Sequence, residues 1–240
     1  MKSLIKPAEP FDAPIKTREK LFGILYIFIH SYLLPNFYSF LFMHFGGEMP
    51  LSPAQFTLLC YLTGFVMVLI FMNGFLRRSF SDFFDKPLRC LSTAGLGLGL
   101  YYASAIVVSI IVIVTMPNPI NPGTEDVIKV VQQDSRLTFA AAVLLAPIVE
   151  EAMFRGALFG AIRPKSRVLA YVVTMLLFAL YHLWSYFIAD FHWIDLVYLL
   201  QYCPMGIILA WCYERSGSIW TPILLHAAVN AIAVNVQKMM

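Results

Sequence analysis

The stretch Leu137–Ile162, LTFAAAVLLAPIVEEAMFRGALFGAI, decides the fold. It is long enough to cross the roughly 30 Å hydrocarbon core of a bilayer as a helix, yet its middle carries Glu150, Glu151 and Arg155. Comparable apolar runs lie near 21–43, 53–76, 91–116, 168–189, 195–213 and 218–237. A run of about 20 apolar residues suffices for one crossing. The sequence therefore predicts an all-α, polytopic transmembrane helix bundle of about seven spans.

Composition agrees. The 240 residues are 60% hydrophobic and 13% charged, with a mean hydropathy of +0.74, outside the range of a soluble domain. Basic residues accumulate in cytoplasmic loops. Lys16, Arg18 and Lys20 precede the first run, Arg77, Arg78, Lys86 and Arg89 follow the second, Arg163, Lys165 and Arg167 the fourth, and Arg215 the sixth. That alternation predicts a cytosolic N-terminus and makes the lipid bilayer the first partner. The net charge of +3 then reflects topology and gives no reason to expect nucleic acid as a partner.

Three regions are expected: a disordered cytosolic tail over 1–20, N-terminal spans with an outside loop over 21–136, and a motif-bearing transmembrane region over 137–237. The tail holds Pro7, Pro10 and Pro14 and lacks the apolar middle of a signal peptide. A compact chain without retention signals fits a bacterial cytoplasmic membrane. The segment SFSDFFDKPLR (79–89) reads as a short interfacial helix or a plain connecting loop, and DVIKVVQQ (126–133) as a short helix on the outer surface. The four cysteines read as packing residues, since none forms a Cys-x-x-Cys pair.

Ionisable side chains inside the hydrocarbon cost on the order of 2.5–3.5 kcal/mol each and mark function by default. Of the 14 acidic residues, only Glu150 and Glu151 fall near the middle of a span. Glu151 and Arg155 are four residues apart, one face of a helix and within ion-pairing reach. Glu150 points elsewhere, so its partner has to come from another helix. His182 on the fifth span, sharing a face with Phe178, and His226 on the seventh, sharing a face with Asn230, are the candidates. Helix depths bring all three toward the cytosolic half of a central cavity. Pro147 is expected to remove the backbone bond to Val143 and kink the helix beside them. Gly156 and Gly160 make a small-x-x-x-small pair suited to a close helix contact. His30, His44 and His192 read as structural or interfacial.

A carboxylate and two imidazoles around a wet cavity suit general-base activation of water. The same set matches the donors of a catalytic zinc with an open water position, leaving Glu150, His182 and His226 as candidate metal ligands. Asn230 has an amide to offer a developing oxyanion.

Glu150-Glu151-x-x-x-Arg155, Phe178-x-x-x-His182 and His226-x-x-x-Asn230, in this order on separate helices, resemble the three motifs of the CPBP family. That family contains the type II CAAX prenyl endopeptidases and the bacteriocin-processing and self-immunity proteins of the Abi group. The resemblance implies an intramembrane endopeptidase acting on a membrane-associated or secreted peptide or protein. It assigns the base to Glu150, assistance to His182, oxyanion stabilisation to His226 and Asn230, and support to Glu151 and Arg155. Phe178 forms wall. Metal-dependent and metal-free glutamate mechanisms both stand under the resemblance. Two rivals are a non-catalytic membrane partner, such as an immunity factor or sensor modulator, and a proton-coupled carrier. The carrier lacks the paired broken helices expected of it.

Overall fold

The computed structural model describes residues 11, 13–116, 118, 120–189 and 191–239. Residues 1–10 and 12 of the expected tail lie outside these. Eight helices succeed one another among the described residues: α1 (Thr17–Gly46), α2 (Pro53–Asp85), α3 (Pro87–Thr115), α4 (Pro122–Gln133), α5 (Ser135–Ile162), α6 (Arg167–Ala189), α7 (Trp193–Ser216) and α8 (Trp220–Met239). Six of them, α1 to α3 and α5 to α7, are long and apolar enough to cross a membrane. The remaining expected span is α8, whose apolar character is diluted by His226, Asn230, Asn235 and Gln237. Ile106, Ile110, Ile113 and Val114 of α3 stand exposed, as side chains bound for lipid do. The protein is a multi-pass, all-helical membrane protein.

Local chemistry sets the boundaries. Ser52 and Gln55 form a reciprocal cap at the start of α2, with Pro53 at the first helical position. Asn121 caps α4 through the Thr124 amide, and Asp134 accepts from the amides of Arg136 and Leu137 to start α5. Gly47 and Gly217 end α1 and α7 at φ of 74° and 80°, a region that side chains with a Cβ avoid.

Two expectations need correction. Thr17–Lys20, assigned to a disordered tail, form the first turn of α1. Glu19 there is buried, accepts from the Phe75 amide at 2.8 Å and pairs with Arg78 at 2.5 Å. Residues 79–85, read as a short interfacial helix or a connecting loop, simply continue α2. Nothing breaks the helix before Lys86, whose backbone is driven out of the helical region by Pro87. At 33 residues α2 is about 50 Å long, longer than the roughly 30 Å membrane core. The short helix expected at 126–133 is present as the longer α4.

At the centre of the bundle lies α5, of which every residue from 149 to 160 is buried. Small side chains allow its neighbours in: Ala157 meets Gly23 of α1, and a Cβ on Gly156 would lie 2.6 Å from the Phe75 ring of α2. Phe75 is itself fully buried and has nowhere to retreat. Gly156→Ala is therefore expected to cost about 1–3 kcal/mol by overpacking, read as a lowered thermal midpoint in detergent. An unchanged midpoint would refute the close contact.

Candidate active site

The site forms around a local irregularity of α5. Over Ala140–Leu145 the helix widens by one residue per turn, and the Ala146 amide donates to Ala141 O, five residues back. In that register the next acceptor is Ala142 O, and its donor would be Pro147, which has no N–H. Asn230 Nδ2 of α8 takes the vacated place at 2.7 Å from Ala142 O. The sequence led us to expect a carbonyl freed at Val143. The widened turn moves the deficit one residue and supplies its partner. The same pattern recurs at Ile29–Leu33, where the Leu34 amide reaches Ile29 O just before Pro35 and His30 sits in the wide turn. Such turns cluster at functional sites.

Just beyond Pro147, Glu150 is buried. Its Oε1 accepts from Tyr61 OH of α2 at 2.7 Å. Its Oε2 has no hydrogen-bond partner among the described residues and lies 3.8 Å from His182 Nε2 and 3.9 Å from His226 Nε2. These separations are too long for direct hydrogen bonds and are of the size that a bridging water spans.

Each imidazole is held by its other nitrogen. His182 Nδ1 lies 2.8 Å from Phe178 O, which can only accept, so Nδ1 carries the proton. His226 Nδ1 lies 2.8 Å from Glu151 Oε1, a carboxylate that likewise accepts. Both rings therefore present Nε2 toward Glu150. Tyr202 stacks on His182 with ring centroids 4.7 Å apart and fixes its plane.

Glu151, fully buried, accepts through one oxygen from both His226 and Arg155, the latter at 2.9 Å. Arg155 reaches further to the carbonyl of Gly206 at 3.2 Å, and its guanidinium carbon sits 4.4 Å over the Phe178 ring. Phe178 is thus more than wall: its ring faces a buried cation and its carbonyl orients a histidine. Two carboxylates thus face one guanidinium in this buried cluster.

The structure thus brings Glu150, His182 and His226 together, with Glu151, Arg155 and Phe178 behind them. Asn230 lines the same cavity but spends one amide hydrogen on Ala142. Tyr61 escaped the sequence reading, being one of 12 tyrosines and 89 residues from its glutamate. His30 is buried, the structural of the two readings expected for it. It bonds Tyr181 OH at 2.8 Å beside Tyr61.

Two imidazole nitrogens and a carboxylate oxygen are zinc-type donors. Tetrahedral bonds of 2.0–2.1 Å would hold them roughly 3.3 Å apart, closer than the 3.8 and 3.9 Å found here. Among the described residues no three His, Cys, Asp or Glu side chains are arranged to hold a metal ion. As arranged, the set does not fit zinc.

A cavity of about 770 Å³ adjoins the site. The sequence placed Glu150, His182 and His226 toward the cytosolic half of a central cavity, and all three line this one. From Glu150 the cavity runs toward Thr124 and Asp126 of α4.

The resemblance read from the motifs is borne out by comparison. Residues 132–232 match the family model described as Rce1-like, type II CAAX prenyl endopeptidase, and contain all the motif positions. The chain is 30% identical over 116 residues to a Bacillus subtilis (strain 168) protein named "Putative membrane peptidase YdiL", covering 48% of this chain and 43% of that one. It is 29% identical over 97 residues to "UPF0177 protein YxdF" of Lactococcus lactis subsp. lactis (strain IL1403), covering 40% of this chain and 48% of the relative. The chain thus spans about half the length of the curated relatives it matches. No solved structure matches.

Proposed function

We propose, from the premise that residues 132–232 form an Rce1-like region, that the protein is an intramembrane endopeptidase that hydrolyses a peptide bond with water activated by Glu150. The observation that carries this reading is the unpartnered Glu150 Oε2, facing Nε2 of both His182 and His226 at the end of a cavity. A water resting against these three atoms gives a proton to Glu150 as its oxygen attacks the scissile carbonyl carbon. His182 orients that water and shares its proton. His226, protonated at Nε2 and backed by Glu151 at Nδ1, donates to the oxyanion, as does the second amide hydrogen of Asn230. Collapse of the intermediate breaks the C–N bond, and the proton held by Glu150 passes to the leaving amine.

Two measurements bear on this directly. Wild type and Glu150→Gln, expressed at matched levels, are compared for membrane and secreted peptides by mass spectrometry. Peptides that require Glu150 are expected, and identical profiles with both proteins folded would favour a non-catalytic membrane partner instead. Purified protein dialysed against a chelator is expected to keep its activity. Loss that zinc restores would replace the water-only scheme with a metal one.

Tyr61 holds Glu150 through Oε1 and leaves Oε2 to react. Tyr61→Phe removes a hydrogen bond to a charged group, worth about 1.5–3 kcal/mol, and is expected to lower kcat roughly 10- to 100-fold with little change in KM. Unchanged kcat would remove Tyr61 from the reaction.

A further inference from the structure

The two halves of the bundle differ in kind. The half bearing the basic loops is solid: Phe75, Phe154, Phe159, Leu209, Tyr213 and Ile219 pack there with no exposed surface. Its rim is tied as well. Glu214 of α7 pairs with Arg163 and Arg167 and accepts from Tyr171 OH at 2.7 Å. Ser218 bonds back to Ser79 O at 2.7 Å.

The opposite half is hollow. From Glu150 the cavity passes Asn230, Tyr202 and Gln201 and reaches Thr124 and Asp126 of α4 and Ser185 of α6, the last two exposed to solvent. Helix α4 roofs this space and is fastened on one side by polar contacts: Tyr186 OH to Asp126 at 2.5 Å, Tyr202 OH to Asn121 at 3.2 Å, and Asn121 to Gln201. Among apolar side chains such as Val127, Val130 and Val234, these are hydrogen-bonding groups of the sort that an extended peptide backbone needs once it leaves water.

We infer that the substrate reaches Glu150 from the extracytoplasmic side, as a peptide segment of an exported or membrane protein passing beneath α4, and that the cytosolic half is a closed floor. The inference rests on the endopeptidase reading for what is carried, but the route itself is read from the cavity and the basic loops.

The test uses the full chain in bacterial membranes with Ser185→Cys or Thr124→Cys, Lys165→Cys as the cytosolic control, and the wild-type chain as background for its own cysteines. A membrane-impermeant sulfonated maleimide is applied to intact cells. Cysteines at 185 and 124 are expected to label as fully as after permeabilisation, and the one at 165 only after it. Labelling at 185 and 124 that requires opening the cytosolic face, or that appears only on denatured protein, overturns the route. Labelled Ser185→Cys is then compared with the same variant unlabelled. Glu150-dependent peptides should fall once the mouth is blocked, and peptides that persist at full labelling overturn it too. Outer-face labelling in a chain that makes no Glu150-dependent peptide would refute the endopeptidase reading and leave the route standing.

Discussion

Glu150→Gln is expected to lower peptide-bond cleavage by the purified protein about 10²- to 10⁴-fold, the range that a positioned general base contributes. The substitution keeps size and shape, and the amide oxygen can still accept from Tyr61 OH, which holds Oε1 at 2.7 Å. What disappears is the basic oxygen facing the two imidazoles. Turnover under saturating substrate, measured beside the thermal midpoint, separates chemistry from folding. A variant that unfolds no earlier than wild type and yet turns over at the wild-type rate would remove Glu150 from the reaction.

Arg155→Met should act on a different quantity. Arg155 is fully buried, pairs with Glu151 at 2.9 Å, and donates to the Gly206 carbonyl. Removing it leaves Glu151 buried with only the His226 imidazole for a partner. Breaking one side of a buried pair costs about 3–5 kcal/mol, because the remaining charge is stranded in low dielectric. The expected result is a strongly reduced yield of folded protein and a midpoint many degrees lower. The double variant Glu151→Gln with Arg155→Met removes both charges and should regain part of that loss while staying impaired in turnover, since His226 loses its anionic backing. If Arg155→Met alone matches wild type in stability, the pair does not support the site as described.

Much of this arrangement was legible in the sequence for a simple reason: its key relations repeat every four residues along single helices. Glu151 with Arg155, Phe178 with His182 and His226 with Asn230 each share a helix face. Burial in an apolar run marks them as costly to keep. That Glu150 needed partners from other helices followed from the absence of a cation within its reach on its own, and the two histidines met that need.

Relations between distant segments left no such trace. Tyr61 is a hydroxyl in one span touching a carboxylate in another, and no spacing rule connects them. The sequence offered Asn230 for oxyanion stabilisation. Its bond to Ala142 depends on a widened turn that composition does not encode. The direction of the cavity was likewise hidden, because it depends on which halves of several helices carry large interlocking aromatics. The length of α2 was misread because charged and aromatic residues at 79–85 suggested a break, although only Pro87 supplies one.

The solid cytosolic half also bears on how the protein sits in an energised membrane. Moving one elementary charge through 100 mV takes about 2.3 kcal/mol, and that voltage falls mainly across whatever layer excludes water. If the cavity opens outward as inferred, water reaching the level of Glu150 carries the outer potential inward. The field is thereby concentrated across the aromatic layer between Phe154 and Ile219. In the proposed reaction, the proton that water gives to Glu150 would then exchange with the exterior while crossing little of the voltage. On the proposed reading, hydrolysis inside the bilayer would proceed without drawing on the ion gradient that the membrane maintains.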